Sequence, residues 1–81
     1  MRILWDEPKR LTNLETRGLD FAHLDIEFFA NSTVLQAKNR RLKAIGFLDG
    51  LPLAVIFKPL GGEAVSIISM RIASRKERSV L

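Results

Sequence analysis

Residues 66–78 read SIISMRIASRKER, an apolar run that gives way to Arg71, Arg75, Lys76 and Arg78 around one carboxylate, Glu77. Guanidinium groups fork onto phosphate oxygens in pairs, so Arg71, Arg75 and Arg78, four and three apart, suit phosphate recognition. The same cluster suits an acidic protein partner, or a solvated face with no dedicated partner. Cleavage of RNA is open to such a set without a metal when the 2′-hydroxyl is the nucleophile. It needs a base for the hydroxyl proton, donors for the charge on phosphorus and an acid for the leaving oxygen. Glu77 has two readings. It is a general base, or it is the capping-box partner of Ser74, and the Ser-x-x-Glu spacing favours the cap.

The other residue types narrow the chemistry. His23 is the single histidine and cysteine is absent, so two-histidine ribonuclease catalysis, thiolate nucleophiles and cysteine–metal sites are excluded. Asp25 and Glu27 point to different sides of a helix, which is poor metal-ligand spacing. No metal or cofactor is expected. Gly61–Gly62 reads as a turn rather than a phosphate loop. Trp5 and the five phenylalanines read as core.

Charge is unevenly placed. The 81 residues carry a net charge of +4, yet residues 1–37 hold four Lys/Arg against six Asp/Glu, and residues 38–81 hold nine against three. A polyanion-binding face supplied by the second half follows from that asymmetry. With 47% hydrophobic residues the chain has material for one core, and residues 1–81 read as a single domain. No apolar run reaches the ~20 residues of a membrane-spanning helix. The opening MRILWDEPKR meets acid and proline too early for a secretory signal. A cytoplasmic protein is expected.

Local signals then place these residues on elements. Residues 2–5 suit a short strand. Asp6 suits an N-cap, Pro8 a first turn and Gly18 a stop, giving a helix over Glu7–Arg17 with Leu11 and Leu14 as its apolar positions. Asp20 caps a second helix, with Phe21, Leu24 and Phe28 inward and His23, Asp25 and Glu27 outward. A short strand covers 33–35. From Leu42, two apolar runs flank Asp49–Gly50, the signature of a tight hairpin. Leu53–Phe57, without a polar interruption, reads as a central strand that Pro59 ends. Ala64–Met70 is the next strand, and Ser74 starts a short C-terminal helix. The fold class is α+β: two N-terminal helices and a short C-terminal one on an antiparallel β-sheet.

Three segments, WDEPKRLTNLETRGLDF at 5–21, AIGFLDG at 44–50 and SIISMRIASRKER, together resemble in order the opening, central hairpin and closing motif of BrnT-type toxins. The resemblance implies a RelE-like fold and a metal-independent endoribonuclease toxin of a type II toxin–antitoxin pair that blocks translation and growth. It implies an RNA substrate and a BrnA-like ribbon-helix-helix antitoxin, with DNA reached only through that partner, and a dimer or heterotetramer. Carried over by motif position, Lys9, Asn13, Ser69, Arg71, Glu77 and Arg78 match, with Arg71, Glu77, Arg78, Lys9 and Arg17 as the catalytic set. Arg17 stands where the family commonly has histidine, and as a permanent cation it stabilises charge but cannot act as a base. The segment STVLQAKNRRLK replaces a longer acidic one, so Lys38, Arg40, Arg41 and Lys43 join Arg75 and Lys76 on the expected RNA-binding surface.

Two other classes compete. A non-catalytic nucleic-acid-binding module uses the same basic face and needs no base. A protein-interaction module uses that face for an acidic partner. Loss of Glu77 separates the first from an enzyme, and competition by RNA separates the second.

Overall fold

Two tight turns build the sheet in the computed structural model, which describes residues 1–81. The element order is β1 (Arg2–Trp5), α1 (Glu7–Arg17), a 3-10 turn (Phe21–His23), α2 (Ile26–Ala30), β2 (Thr33–Gln36), β3 (Leu42–Leu48), β4 (Leu51–Leu60), β5 (Ala64–Ile72) and α3 (Arg75–Arg78). Asp49 and Gly50, at φ 50 and 81, join β3 to β4 with Leu48 opposite Leu51. That is the two-residue hairpin expected, because positive φ at both central positions matches the twist of the strands. The β2–β3 hairpin closes at Lys38–Arg41, where Asn39 and Arg40 lie at φ 60 and 62 and the Arg41 amide donates to the Lys38 carbonyl.

The strands lie in the order β1-β5-β4-β3-β2. The sheet is mixed, which corrects the expected antiparallel one: β1 runs parallel to β5, with Arg2 opposite Ala64 and Trp5 opposite Ile67. The β2–β5 meander leaves the outer edge of β5 open, and β1 fills part of it. Strand β4 is central, as Leu53–Phe57 predicted. It continues to Leu60, so Pro59 does not end it. Pairing with β3 stops at Phe57, and Pro59 therefore sits where one side of β4 has no neighbour to receive an N–H.

Leu53, Val55 and Phe57 of β4 face the main core with Phe21, Leu24 and Phe28 from the helical side, and Val65, Ile67 and Met70 of β5 complete it. Phe29 meets Phe28 and Phe57 edge-on, with centroids 5.3 Å apart in each pair. On the opposite face Ala54 packs with Ile45 and Ala73. The inward spacing of Phe21, Leu24 and Phe28 holds, but not as one helix. The Asp20 carboxylate accepts from the Ala22 amide to cap the 3-10 turn, and Asp25 accepts from Phe28 to cap α2 anew. Two caps five residues apart split the predicted helix. Phe47 also departs from expectation, being 58% exposed rather than core.

Helix α1 departs most. Its stop at Gly18, φ 70, and its early Pro8 are as predicted, although Asp6 at the N-cap makes no side-chain bond. Leu11 and Leu14 are exposed, and the buried residue is Asn13. The Asn13 amide donates to the carbonyls of Leu19 and Met70, at 3.1 and 2.9 Å, and its oxygen accepts from the Met70 amide at 3.1 Å. Strand β1 stops opposite Ile67, and Asn13 supplies β5 with its next edge bonds in place of a strand.

Candidate nucleic-acid interface

The alternation of β-strands brings Arg71 and Lys43 to one face of the sheet, on either side of β4. Arg71 lies opposite Ala54, and Lys43 opposite Ile56. Helix α3 hangs over that face because Ser74 caps it: the Ser74 hydroxyl accepts from the Glu77 amide, and the Glu77 carboxylate accepts from the Ser74 amide. The capping-box reading of Glu77 thus holds, and the box aims the carboxylate down between the two cations.

Glu77 Oε1 accepts from Arg71 Nη1 at 2.6 Å and from the Ser74 amide at 2.9 Å. Glu77 Oε2 accepts from Arg71 Nη2 at 2.8 Å and lies 2.8 Å from Lys43 Nζ. A carboxylate offers about four lone-pair sites, and here four donors occupy them. The Arg71 fork holds the Glu77 carboxyl well below the usual carboxylate range, against burial that works the other way, with Lys43 and the Ser74 amide adding to the fork. Arg71 is held more firmly protonated in return, chiefly by its hydrogen bonds to Glu77.

Beside this pair a groove of about 610 Å3 is lined by Lys38, Arg41, Lys43 and Arg71 over Ile56, with Gln36, Ala37 and Asn39 at its wall. A second groove, of about 410 Å3, runs between α1 and β5 and holds Lys9, Asn13, Arg17 and Ser69. Ile56 of the first groove pairs with Ser69 of the second, so the two adjoin on one sheet face. The residues singled out in the sequence therefore fall into two neighbouring sets. Lys76 lines a third groove, of about 420 Å3, with Lys43 and Glu77. Arg75 and Arg78 are exposed on α3, and Arg40 is exposed at the β2–β3 turn; none of the three lines a groove. His23 is exposed and outside the grooves.

Sequence reasoning missed Thr12 and Thr16, which line the α1 groove. Their spacing from Lys9, three and seven residues, was the available signal. It also missed Arg10, which pairs with Glu7 and with both oxygens of Asp20 at 3.1 Å, fastening α1 to the 3-10 turn.

This small α+β fold lays two cation-lined grooves on one sheet face, a charge arrangement that suits a polyanion. Residues 5–77 match the family model described as "Ribonuclease toxin, BrnT, of type II toxin-antitoxin system", and the chain belongs to that family. The crystal structure of the Brucella abortus ribonuclease toxin, BrnT, is similar to it at 56% identity and a TM-score of 0.86, over 93% of this chain and 99% of that one. No curated protein sequence matches. The resemblance of the three segments is thereby borne out, and the fold is that of a BrnT ribonuclease toxin. No helix is long and apolar enough to cross a membrane.

Proposed function

We propose that residues 1–81 act as one RelE-like toxin domain that cleaves RNA without a metal, through attack of a 2′-hydroxyl on its neighbouring phosphate. The products are a 2′,3′-cyclic phosphate and a free 5′-hydroxyl. The observation that carries this reading is Arg71, presented at the head of a groove with Lys38, Arg41 and Lys43 and held by both nitrogens to a buried carboxylate. A preorganised guanidinium meets charge as it develops on phosphorus without paying to reorient. Glu77 orients Arg71 and Lys43. With all four lone-pair sites engaged and its proton affinity lowered, it is a poor acceptor for the hydroxyl proton, which passes to solvent water as water protonates the departing 5′-oxygen. Arg40, Arg75, Lys76 and Arg78 surround the grooves and draw RNA in through long-range attraction.

In the cell such cleavage blocks translation and growth in the cytoplasm. A BrnA-like ribbon-helix-helix antitoxin neutralises the toxin in a dimeric or heterotetrameric complex and supplies its only link to DNA. The test is RNA incubated with the purified chain in EDTA, beside Arg71→Ala. Cleavage by the wild type and none by the variant is expected. Equal cleavage by both, or dependence on added metal, overturns the proposal. RNA bound but left intact by the wild type favours the non-catalytic binding module instead.

A further inference from the structure

Helix α1 is polar on the side where it meets the sheet. Lys9, Thr12, Asn13, Thr16 and Arg17 follow the i, i+3, i+4, i+7, i+8 spacing of one helical face, and all five line the groove against β5. That stripe is where a helix on a sheet normally places its leucines. Here Leu11 and Leu14 are turned out to solvent, 51% and 36% exposed, and the helix is fastened by Asn13 and Arg10 rather than by apolar packing.

The groove has the makeup of a phosphodiester site. Lys9 and Arg17 stand about 12 Å apart along the helix axis, one at each end. Neither has an ion-pair partner, since the ion pairs of the chain use Arg10, Lys43 and Arg71. Between them lie the hydroxyls of Thr12, Thr16 and Ser69. The Thr16 hydroxyl donates to the Thr12 carbonyl, so it can meet a ligand only as an acceptor, for example of a ribose hydroxyl. Ile68, the extra residue where β5 shifts register against β4, supplies the one apolar wall, a surface on which a sugar or base can rest.

Resting on the ribonuclease reading, we infer that the α1 groove is a second RNA subsite, separate from the cleavage centre. It holds the single strand that runs on from the Arg71 groove across the Ile56–Ser69 pair. Lys9 and Arg17 each take a phosphate there. The resemblance implies a catalytic place for Lys9 and Arg17. On this inference, since they line the α1 groove and not the groove of Arg71, they bind a flanking nucleotide and do not touch the bond that breaks, so a productive substrate extends over both grooves.

The test is fluorescence anisotropy of a labelled 12-nucleotide single-stranded RNA of mixed sequence across a salt series, with cleavage kinetics on the same RNA. Each phosphate contact on a single strand contributes about 0.7 to the slope of log affinity against log salt. Lys9→Ala/Arg17→Ala therefore flattens the slope by about 1.4, with the loss appearing in KM while kcat stays near that of the wild type. Thr16→Glu, which sets a negative charge in the groove floor, weakens binding in the same assay. All three positions are exposed, and an unchanged melting temperature confirms the fold. An unchanged slope and KM in both variants overturns the subsite. A fall in kcat at saturating RNA also overturns it, by making Lys9 and Arg17 part of the cleavage step. A wild type that neither binds nor cuts RNA sinks this inference and the ribonuclease reading together, whereas failure of the double variant alone leaves that reading standing.

Discussion

Arg71 and Glu77 meet as two parallel forks, Nη1 to Oε1 at 2.6 Å and Nη2 to Oε2 at 2.8 Å, with Lys43 closing on the same carboxylate. One residue of a four-residue helix thereby ties β3 to β5 across β4. The tie is structural and functional at once, because it fixes the two cations that head the groove. It also sets a cost. A carboxylate that is only 9% exposed is satisfied here by its partners alone, so removing any one of them leaves charge without water.

Replacing Glu77 by glutamine keeps the side chain's size and loses its charge. Part of the two-cation contact is then repelled by the amide nitrogen. Breaking a buried pair costs about 3–5 kcal/mol, and Arg71 and Lys43 keep partial access to water, so a loss of about 2 kcal/mol is expected in urea unfolding. Cleavage falls with it, since Arg71 is no longer held. A variant as stable as the wild type would show that the pair is solvated rather than structural.

The same carboxylate governs acid stability. Its pKa is lower in the folded chain than the ordinary glutamate value of 4.5, so its contribution is complete above that value. As pH falls below 4.5 toward the folded pKa, protonation is taken up preferentially by the unfolded chain and the contribution drains away. Melting temperature against pH should fall more steeply below about 4.5 for the wild type than for Glu77→Gln. Glu7 and Asp20, also lowered by their hydrogen bonds, remain in both proteins and cancel in the difference.

Much of this was legible in the sequence and part was not, for physical reasons that differ by residue. Asp49–Gly50 announced its hairpin because glycine is the residue that left-handed backbone selects. Asn39–Arg40 makes the same bend with an asparagine as its one local mark, because the arginine at φ 62 gives no such signal. The capping box over Ser74–Glu77 was readable as a spacing within one turn, but its contact with Lys43 spans 34 positions and depends on strand order. Asp25 was read as the outer face of a continuous helix; only the competition between a side-chain cap and the backbone ladder decides that. The α1 stripe is hidden because the spacing of Leu11 and Leu14 suits a core face, whereas the long-range bonds of Asn13 to β5 turn the polar face inward.

Asn13 tests that last point. Aspartate in its place still accepts from the Met70 amide, but it presents negative charge to the Leu19 and Met70 carbonyls that the amide now feeds. Asn13→Asp should cost about 3 kcal/mol at neutral pH, more than Asn13→Ala. The excess should shrink as the acid is protonated on lowering the pH, because a neutral carboxyl regains one donor. Urea midpoints of the two variants at neutral and at mildly acidic pH measure this. Equal midpoints at both would show that the carbonyls have other donors.

Arg40 sits at φ 62, where a side chain costs roughly 1 kcal/mol that glycine does not. Its guanidinium is exposed beside the groove of Lys38 and Arg41. Arg40→Gly should therefore raise stability by up to about 1 kcal/mol while weakening RNA binding and flattening its salt dependence. A loss of stability instead would mean that the side chain packs on the turn.

Arg71→Lys separates charge from geometry. Lysine keeps the positive charge, so the long-range pull on RNA and the net charge of the face are unchanged. It offers one ammonium where the guanidinium offers a rigid fork, and it cannot bond both Glu77 oxygens in parallel. If catalysis rests on a preorganised donor, kcat should fall by about 10²-fold or more, with RNA affinity nearly kept, since removing one such donor elsewhere costs 10²–10³. If attraction alone matters, kcat and affinity should both survive. The two outcomes are read from one saturation curve, and the second would move the chemistry away from the Arg71–Glu77 pair altogether.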